Sequence, residues 1–384
     1  MVQSGNLASE YPNSYCKINK NNKDKPSYFE MEILLDNEVF SYGFEIILSK
    51  NILVSEWLIK LGTNEETPLF YKDGENDSYH FGDILKDNNA LDIYQQGILG
   101  TNTLFLTEMN KNKTVFYSNN TNAVILEKIY DWICNKLEIV FPPRPTKQAS
   151  FMVNTTSLDK VAQLLHSFGT GIVKINEIPE DINQITKNFP YYLKEQIAQH
   201  INMIQVQANK DYQINKGTDK YTFIVRSQEN IIGIEYSIKE GFKSYSIQFE
   251  HENIDSDVLF KVSEESDGTI RLFELIEVLL NTNKTYVIDE LDRCLHPCLT
   301  YNFIKKFFEY SDNKEVQLIV TTHEPKLMDL KLLRRDEIWF VDKDKQGNSN
   351  IYSLEEYNTR FDQKVDKAYL EGRYGGVPSF DTMD

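Results

Sequence analysis

The sequence predicts an α/β fold in which a parallel core sheet is accompanied by an antiparallel β-rich lobe and a helical insertion. Three observations predict this fold class. Short runs of alternating apolar and polar residues dominate the first third of the chain. Helical periodicity fills much of residues 156–208. In the last third, two strand-like runs end in polar residues and alternate with helical segments, which is typical of parallel strands.

The composition limits the classes of function. The chain has 384 residues, enough for two or three domains, and a formal net charge of −17. Because that charge repels a phosphate backbone, contact with DNA or RNA is unsupported by the net charge, although it is possible. The start of the chain lacks a secretory apolar region, and no run reaches the roughly 18 apolar residues of a membrane helix. Only four cysteines are present, so we expect a cytoplasmic protein without disulfides and without membrane contact.

Residues 1–150 are expected to form the β-rich lobe. The segment SYFEMEILLDNEVFSYGFEIILSKNILVSEWLIKL alternates apolar and polar residues and is broken at Asp36-Asn37 and Ser49-Lys50-Asn51, which indicates a meander with one buried face. The pattern becomes helical over residues 121–138. The proline-rich FPPRP at 141–145 ends that helix, because proline supplies no backbone donor, and we place a domain boundary there.

Residues 151–215 are expected to form a helical insertion or lid, on the basis of LDKVAQLLHSF and PYYLKEQIAQHINMIQV. The remaining residues, 216–384, are expected to form the C-terminal lobe. It begins with three runs rich in β-branched and aromatic residues, YTFIVRS, IIGIEYSI and KSYSIQFE, which predict consecutive strands.

The candidate chemistry begins at a strand that ends in two acids. Thr285–Ile288 lies between helical segments and predicts a parallel strand buried on both faces, and Asp289 and Glu290 follow at its carboxyl end. In nucleotide hydrolases the first acid of such a pair holds Mg²⁺ and the second polarises the attacking water. An isolated apolar-Asp-Glu string is also typical of a strand that simply ends in a turn.

Two neighbouring features favour the chemical interpretation. Upstream, Ser266 and Asp267 precede a helix whose wetter side is predicted to carry Arg271, Glu274 and Glu277. With Ser266 as N-cap and Gly268 in the first turn, backbone N–H groups and the helix dipole could face an anion, although an ordinary capped helix has the same pattern.

Downstream, EVQLIV predicts a second buried strand that ends in Thr321, Thr322 and His323. Because the carboxyl ends of parallel strands share one edge of the sheet, we expect Asp289, Glu290 and His323 to lie together there.

Taken together, these residues resemble a known family. The segments ESDGTIRLFEL, KTYVIDELDRCLHP, LIVTTHEPKLMDLKLLRRDEIWFVDKD and YLEGRYGGVP look like the C-terminal half of the ABC/SMC-type AAA ATPases of bacterial phage-defence and abortive-infection loci. The resemblance spans residues 260–380, and PSYFEMEILLDNEVFSYGFEI resembles the β-lobe of the same family. It implies an ABC/SMC-like P-loop NTPase fold that uses ATP and Mg²⁺ and dimerises around ATP.

The resemblance also implies roles for individual residues. Asp289 and Glu290 match the Walker B acids, the first as Mg²⁺ ligand and the second as catalytic residue, and His323 matches the switch histidine that senses the γ-phosphate. Leu291 to His296, with Asp292, match the D-loop at the dimer interface. The signature loop, which contacts the γ-phosphate bound by the opposite subunit, is matched by Ser266, Asp267, Gly268 and Thr269. A homodimer is implied, with an effector protein as a further partner.

The departure from the family is the phosphate-binding loop. Such ATPases hold the β- and γ-phosphates with a glycine-rich loop ending in Gly-Lys-Ser/Thr. None of the 17 glycines here is followed by lysine, and GTGIVK at 169–174 lacks the required spacing. We expect the fold to be N-terminally incomplete, with the loop on a missing segment. A nucleotide-incompetent relative that acts as a scaffold or regulatory partner of a defence effector is the alternative.

Two further candidate sites are weaker. Cys294, His296 and Cys298 alternate in a way that rarely closes a zinc tetrahedron. Asp342 and Asp344 have the D-x-D spacing of some metal-dependent nucleases, but WFVDKDKQGNSNIYSL predicts a hairpin with two solvated acids. A DNA-processing enzyme therefore ranks third among the hypotheses.

We expect residues 1–384 by themselves to show little or no ATPase activity. Without a Gly-Lys loop, the phosphates lose several charge-assisted hydrogen bonds, each worth about 1.5–3 kcal/mol. Steady-state phosphate release with Mg²⁺ and ATP is the measurement. Clear Mg²⁺-dependent turnover that Glu290→Gln abolishes would contradict this prediction, and adding the missing segment is expected to restore activity.

Overall fold

The structure is a computed structural model. It describes residues 2, 12–63, 65–74, 77–86, 89–111, 113–141, 158–187, 189–213, 221–226, 231–255, 258–357 and 364–377. The chain divides into two compact units, described separately below. The first comprises Met1–Glu138, Trp339–Tyr352 and Pro378–Asp384, and the second Ile139–Ile338 and Ser353–Val377. Within the described ranges, every helix is too short or too polar to cross a bilayer.

The first unit contains a five-stranded antiparallel sheet, in which neighbouring strands pair in chain order. Its strands are β1 (Ser27–Leu35), β2 (Glu38–Ile47), β3 (Ile52–Leu61), β4 (Glu66–Asp73) and β5 (Ser78–Phe81). The predicted meander is therefore confirmed. Asp36 and Asn37 form the tight turn between β1 and β2 with φ of 51° and 63°, a left-handed conformation that Asp and Asn tolerate better than other non-glycine residues.

Four helices follow the sheet and share its hydrophobic core. They are α1 (Asn89–Ile98), α2 (Phe105–Met109), α3 (Thr114–Asn119) and α4 (Val124–Asp131). Ile129 and Ile133 are buried, as the helical period predicts, but the helical prediction for residues 121–138 is wrong at Leu137 and Glu138, which belong to a strand. A π-helical turn, Trp132–Lys136, leads into β6 (Leu137–Val140). Most of the proline-rich boundary predicted at 141–145 lies outside the described residues.

Glu56 of β3 is a carboxyl group at the centre of the first unit, with no exposed surface. Its Oε1 accepts hydrogen bonds from the Tyr42 hydroxyl (3.1 Å) and the Leu106 N–H (3.1 Å). Its Oε2 accepts from the Tyr79 hydroxyl (2.8 Å) and the Phe105 N–H (2.7 Å). Burial raises the pKa of Glu56, and these four donors oppose that rise by favouring the carboxylate. Glu56 thus ties the sheet to the first turn of α2.

The second unit begins with a four-stranded antiparallel sheet and three helices. They are α5 (Leu158–Ser167), β7 (Ile172–Pro179), α6 (Ile182–Ile185), α7 (Tyr191–Gln213), β8 (Tyr221–Arg226), β9 (Ile231–Ser237) and β10 (Gly241–His251). The strand order is β7-β10-β9-β8, with all pairs antiparallel. The three consecutive strands predicted from residue 220 onward are confirmed.

The predicted helical insertion is only partly helical. Both quoted helical segments form helices, α5 and α7, but Ile172–Pro179 is a strand and the prediction is wrong there. Gly169 and Gly171, with φ of 78° and 76°, end α5 and redirect the chain. The strand then obtains its hydrogen-bond partners from β10, about 70 residues further along the chain, which local periodicity cannot reveal. GTGIVK therefore leads into a strand and not into a helix.

The second sheet of this unit carries the acid-ended strand. α8 (Asp267–Leu280), β11 (Thr285–Ile288), α9 (Pro297–Ser311) and β12 (Gln317–Val320) follow one another, and the sheet order is β12-β11-β6. β11 and β12 are parallel, as predicted. Tyr286 and Ile288 are buried in the core shared with α8 and α9.

β12 is not the buried strand that the sequence predicts. Among the described residues it lies at the edge of its sheet, and Ile319 is 49% exposed. Thr285 and Val287 of β11 are only partly buried, so the prediction of burial on both faces is also wrong for β11. Only one face of the sheet packs against the core helices, and apolar composition alone does not distinguish one covered face from two.

The last elements of the described residues are a hairpin, mainly in the first unit, and a short helix in the second. β13 (Trp339–Lys343) and β14 (Ser349–Ser353) form the predicted hairpin, followed by α10 (Val365–Leu370). Asp344 accepts hydrogen bonds from the N–H groups of Gln346 (2.9 Å) and Asn348 (2.8 Å). These bonds lower the pKa of Asp344, with the Asn348 side chain as the main cause. Asp344 therefore has a structural role in the turn.

Replacing Glu56 by Gln is expected to destabilise the first unit by about 1–3 kcal/mol. The Phe105 and Leu106 N–H groups donate to different oxygens of Glu56, so either orientation of the amide leaves one of them without an acceptor. Urea unfolding followed by tryptophan fluorescence measures this, since Trp57, Trp132 and Trp339 all belong to the first unit. The exposed Glu32→Gln on β1 is the control, and equal stability of both variants would contradict the prediction.

Candidate functional site

The candidate site lies where β11 and β12 end side by side. Ile288 pairs with Val320 as the last residues of the parallel ladder. Two main-chain bonds extend the pairing: the Thr321 N–H donates to the Ile288 carbonyl (3.0 Å) and the Leu291 N–H to the Thr321 carbonyl (2.9 Å). On the other side of β11, the Asp289 N–H donates to the Val140 carbonyl of β6 (2.9 Å). The main chain around the two acids is therefore held by both neighbouring strands.

The Thr321 hydroxyl connects the two acids. It donates to Asp289 Oδ1 at 2.6 Å and accepts the Glu290 N–H at 2.9 Å. A hydroxyl can donate one bond and accept another, so this arrangement uses both functions of one side chain. The carboxylate of Asp289 and the main chain of Glu290 are consequently positioned by the same atom.

Asp292, two residues after Glu290, also connects the two loops by hydrogen bonds. Its Oδ1 accepts the Thr322 hydroxyl at 2.7 Å and the His323 N–H at 3.1 Å. Thr322 Oγ1 in turn accepts the Glu324 N–H at 3.0 Å. The main chain of His323 is therefore bonded to the segment that follows the acid pair, and the expected neighbourhood of acids and histidine loop is present.

Glu290 has a left-handed backbone, with φ of 49°. Its carbonyl accepts the Arg293 N–H (3.1 Å) and the Arg271 guanidinium (3.4 Å), while its N–H is bonded to Thr321. A left-handed non-glycine residue costs about 1–3 kcal/mol and persists only when its surroundings determine it, as they do here on both sides of the residue.

The position of Arg271 differs from the sequence prediction for α8. It was expected on the wetter side of the helix, yet it is only 4% exposed. Its guanidinium lies between the Glu290 carbonyl and the Glu274 carboxylate (3.5 Å). The contact with Glu290 joins residues 19 positions apart, so helical periodicity could not predict it. Glu274 and Glu277 are partly exposed, as predicted.

The loop before α8 contacts the segment after the acid pair. Ser266 is the N-cap, as predicted, and its Oγ accepts the Thr269 N–H at 3.1 Å. A Cβ placed on Gly268 would lie 2.9 Å from the carbonyl oxygen of Cys294. Cys294 itself is left-handed, with φ of 62°. Glycine is required at 268 because the Cys294 main chain approaches so closely.

The site residues proposed from the sequence fall into two connected groups. The first is the group of acids and histidine loop: Asp289, Glu290, Asp292 and His323. The second is the loop at the start of α8: Ser266, Asp267, Gly268 and Thr269. Gly268 links them through Cys294, and Arg271 links them through Glu290. Sequence analysis missed Thr321, Thr322 and Arg271 as site residues, although both threonines directly precede His323.

Asp289 and Glu290 carry the kind of ligand atom that Mg²⁺ prefers. Carboxylate oxygens are hard donors that suit Mg²⁺, which retains several waters and binds proteins through one or two carboxylates plus substrate phosphates. No group of three or more His, Cys, Asp or Glu side chains in the described ranges is arranged to hold a metal by itself.

A comparison with known protein families gave a match over the region that contains the candidate site. Residues 155–329 match the model of a family described as AAA domain, putative AbiEii toxin, Type IV TA system. The match begins just before α5 and ends beyond His323, so it includes both groups of candidate residues. It supports an AAA-type ATPase domain of the abortive-infection type. The mixed α/β architecture, with one parallel and several antiparallel sheets, is compatible with a P-loop AAA fold. A comparison with curated proteins gave no match.

Replacing Gly268 by Ala is expected to destabilise the second unit by about 1–3 kcal/mol, because the new methyl group would push against the Cys294 carbonyl. Gly97→Ala in α1 is the matched control. A Cβ there meets nothing within 4 Å, and the substitution is expected to stabilise by about 0.5–1 kcal/mol. Urea unfolding followed by circular dichroism measures both. A Gly268→Ala variant as stable as the wild type would show that the contact is not tight.

Proposed function

We propose that this chain is the ATP-binding and ATP-hydrolysing subunit of an ABC/SMC-like AAA ATPase that dimerises around ATP. One observation carries the proposal: at the ends of two parallel strands, Thr321 is hydrogen-bonded to Asp289 and Glu290, while Thr322 and the His323 main chain donate to Asp292. A structural turn needs no such concentration of acids at the ligand-binding edge of a parallel sheet. The family match over residues 155–329 supports the same class of enzyme.

The two acids would have different tasks. Asp289, oriented by Thr321, would hold Mg²⁺ together with water and the β- and γ-phosphates of ATP. When bound, Mg²⁺ neutralises charge on the phosphates. Glu290 would accept a proton from the attacking water as a general base. Because its N–H and carbonyl are both hydrogen-bonded, the main chain of Glu290 is already positioned before substrate binds.

The loop at the start of α8 would contact the γ-phosphate bound by a second copy. α8 has 14 residues, and its N-terminal end presents backbone N–H groups and a positive dipole, which attract anions. His323 would sense the same γ-phosphate, with its main chain held by Asp292. Gly268 and Arg271 would then relay a change at the dimer contact to the acid pair.

The biological setting of the proposal is antiphage defence by abortive infection, with an effector protein as partner. It is supported by the matched family, which is described as a putative AbiEii toxin of a type IV toxin–antitoxin system.

One observation favours a second function: none of the glycines is followed by lysine, so the chain contains no Gly-Lys-Ser/Thr loop. Under this second function, the chain is a nucleotide-incompetent scaffold that dimerises and recruits an effector.

Binding of radiolabelled ATP, measured by equilibrium dialysis with and without Mg²⁺, separates the two functions. Under the first proposal we expect weak binding, with Kd of about 1 mM, that requires Mg²⁺. Asp289→Asn is expected to weaken it about tenfold, and Glu290→Gln is expected to retain it, because the amide keeps the shape of the side chain. Asp342→Asn, which changes an exposed acid of the β13–β14 hairpin, is the control.

Sedimentation velocity on the same samples measures dimerisation. A dimer that forms only with Mg²⁺ and ATP supports the ATPase. A dimer that forms equally without nucleotide, with no ATP bound, overturns it in favour of the scaffold. Cleavage of DNA with Mg²⁺ or Mn²⁺ would overturn both functions.

A further inference from the structure

The face of the five-stranded sheet that points away from the core of the first unit has an unusual row of side chains. Five residues lie opposite one another across all five strands: Glu30, Gly43, Trp57, Tyr71 and His80. Alternate residues of a strand share a face, and the core side holds the neighbouring residues Tyr42 and Leu58, both buried. The row therefore belongs to the opposite face of the sheet.

Gly43 makes room for a flat aromatic surface. A Cβ at this position would lie 2.3 Å from Cζ2 of Trp57, so the indole lies across the backbone of β2. The Trp57 Nε1–H then reaches Glu30 Oε1 at 3.1 Å, and the ring centroids of Trp57 and Tyr28 lie 5.2 Å apart. Tyr71 stacks on His80, with 4.9 Å between the ring centroids. We call Tyr28, Trp57, Tyr71 and His80 the aromatic shelf.

The aromatic shelf is open to solvent over much of its area. Tyr28 is 59% exposed and Tyr71 46% exposed, and Leu34, further along β1 on the same face, is 66% exposed. Aromatic rings in ordered pairs on an open face contribute most when they are covered, because they bury large apolar areas. Cross-strand pairing stabilises the sheet, but it does not require that two tyrosines and a leucine stay in water.

The shelf is bordered by negative charge. Glu30, Glu32 and Glu45 lie on the same face, and the β1–β3 positions of this face, all of them described, carry no lysine or arginine. Glu30 accepts the hydroxyls of Ser41 (2.6 Å) and Tyr28, and these bonds lower the pKa of Glu30. The hydrogen bond between Tyr28 and Glu30 also raises the pKa of Tyr28 to about 12. Glu30 is therefore a fixed negative charge beside exposed rings.

We propose that the aromatic shelf docks an arginine-bearing segment of a partner protein. A guanidinium is planar, so it can lie on the faces of Tyr28, Trp57 and Tyr71 while it pairs with a carboxylate at the border. Single-stranded nucleic acid also stacks on aromatic surfaces, but its phosphates would meet three carboxylates on a chain of net charge −17. The arrangement thus favours a cation over a nucleic acid, and it is independent of any nucleotide chemistry in the second unit.

The test uses the full chain and a synthetic peptide of four arginines alternating with glycine. Isothermal titration calorimetry and tryptophan fluorescence measure binding. We expect a peptide with citrulline in place of arginine, which keeps the planar shape without charge, to bind at least about tenfold more weakly. A lysine peptide is expected to fall between them, because an ammonium does not stack. An oligothymidine that binds more tightly than the arginine peptide would overturn the proposal in favour of nucleic acid.

Matched variants separate docking on the shelf from general attraction to an acidic protein. Tyr28→Ala combined with Tyr71→Ala is expected to weaken binding at least about fivefold, as is Glu32→Gln, whereas Tyr28→Phe retains it. The controls are Tyr191→Ala on α7 and Glu309→Gln on α9, both exposed positions of the second unit. The proposal is overturned if the arginine peptide does not bind, or if the controls weaken binding as much as the shelf variants. Circular dichroism confirms that each variant is folded.

Discussion

The candidate site depends on one hydroxyl group. Thr321 Oγ1 bonds to the carboxylate of Asp289 and to the main chain of Glu290, at the point where the ladder between β11 and β12 gives way to loops. Two main-chain bonds extend the pairing just beyond the ladder, and the Thr321 side chain adds its bonds at the same point. Thr322 and Asp292 repeat the connection one step further along. The two loops are therefore held together by a continuous set of hydrogen bonds.

Strain is concentrated in the same segment. Glu290 and Cys294 are both left-handed non-glycine residues. Glu290 is held by Thr321, the Arg293 N–H and the Arg271 guanidinium of α8, and the Cys294 carbonyl lies close to Gly268 of α8. Strained backbone that neighbours determine in this way is a common property of functional loops. The start of α8 therefore contacts the segment of the acid pair directly, through the hydrogen bond from Arg271 to the Glu290 carbonyl.

The first unit shows how differently carboxylates can be used in one chain. Glu56 is completely buried and ties β3 to α2, whereas Glu30 lies on the open face of the same sheet and organises exposed aromatic rings. Both accept several hydrogen bonds, but burial raises the pKa of Glu56 and hydrogen bonding lowers that of Glu30. Solvent access decides which effect dominates, and with it whether the carboxylate is enclosed in the fold or presents its charge at the surface.

The sequence by itself determined the features that depend on neighbours along the chain. The turn at Asp36-Asn37, the Ser266 cap of α8 and the alternation of strands and helices from residue 267 to 320 follow from local backbone preference and periodicity. Only the tertiary structure decided the burial of Arg271, the pairing of Ile172–Pro179 with β10 and the edge position of β12. The partners in these contacts come from distant parts of the chain, and local patterns carry no information about which distant groups will meet.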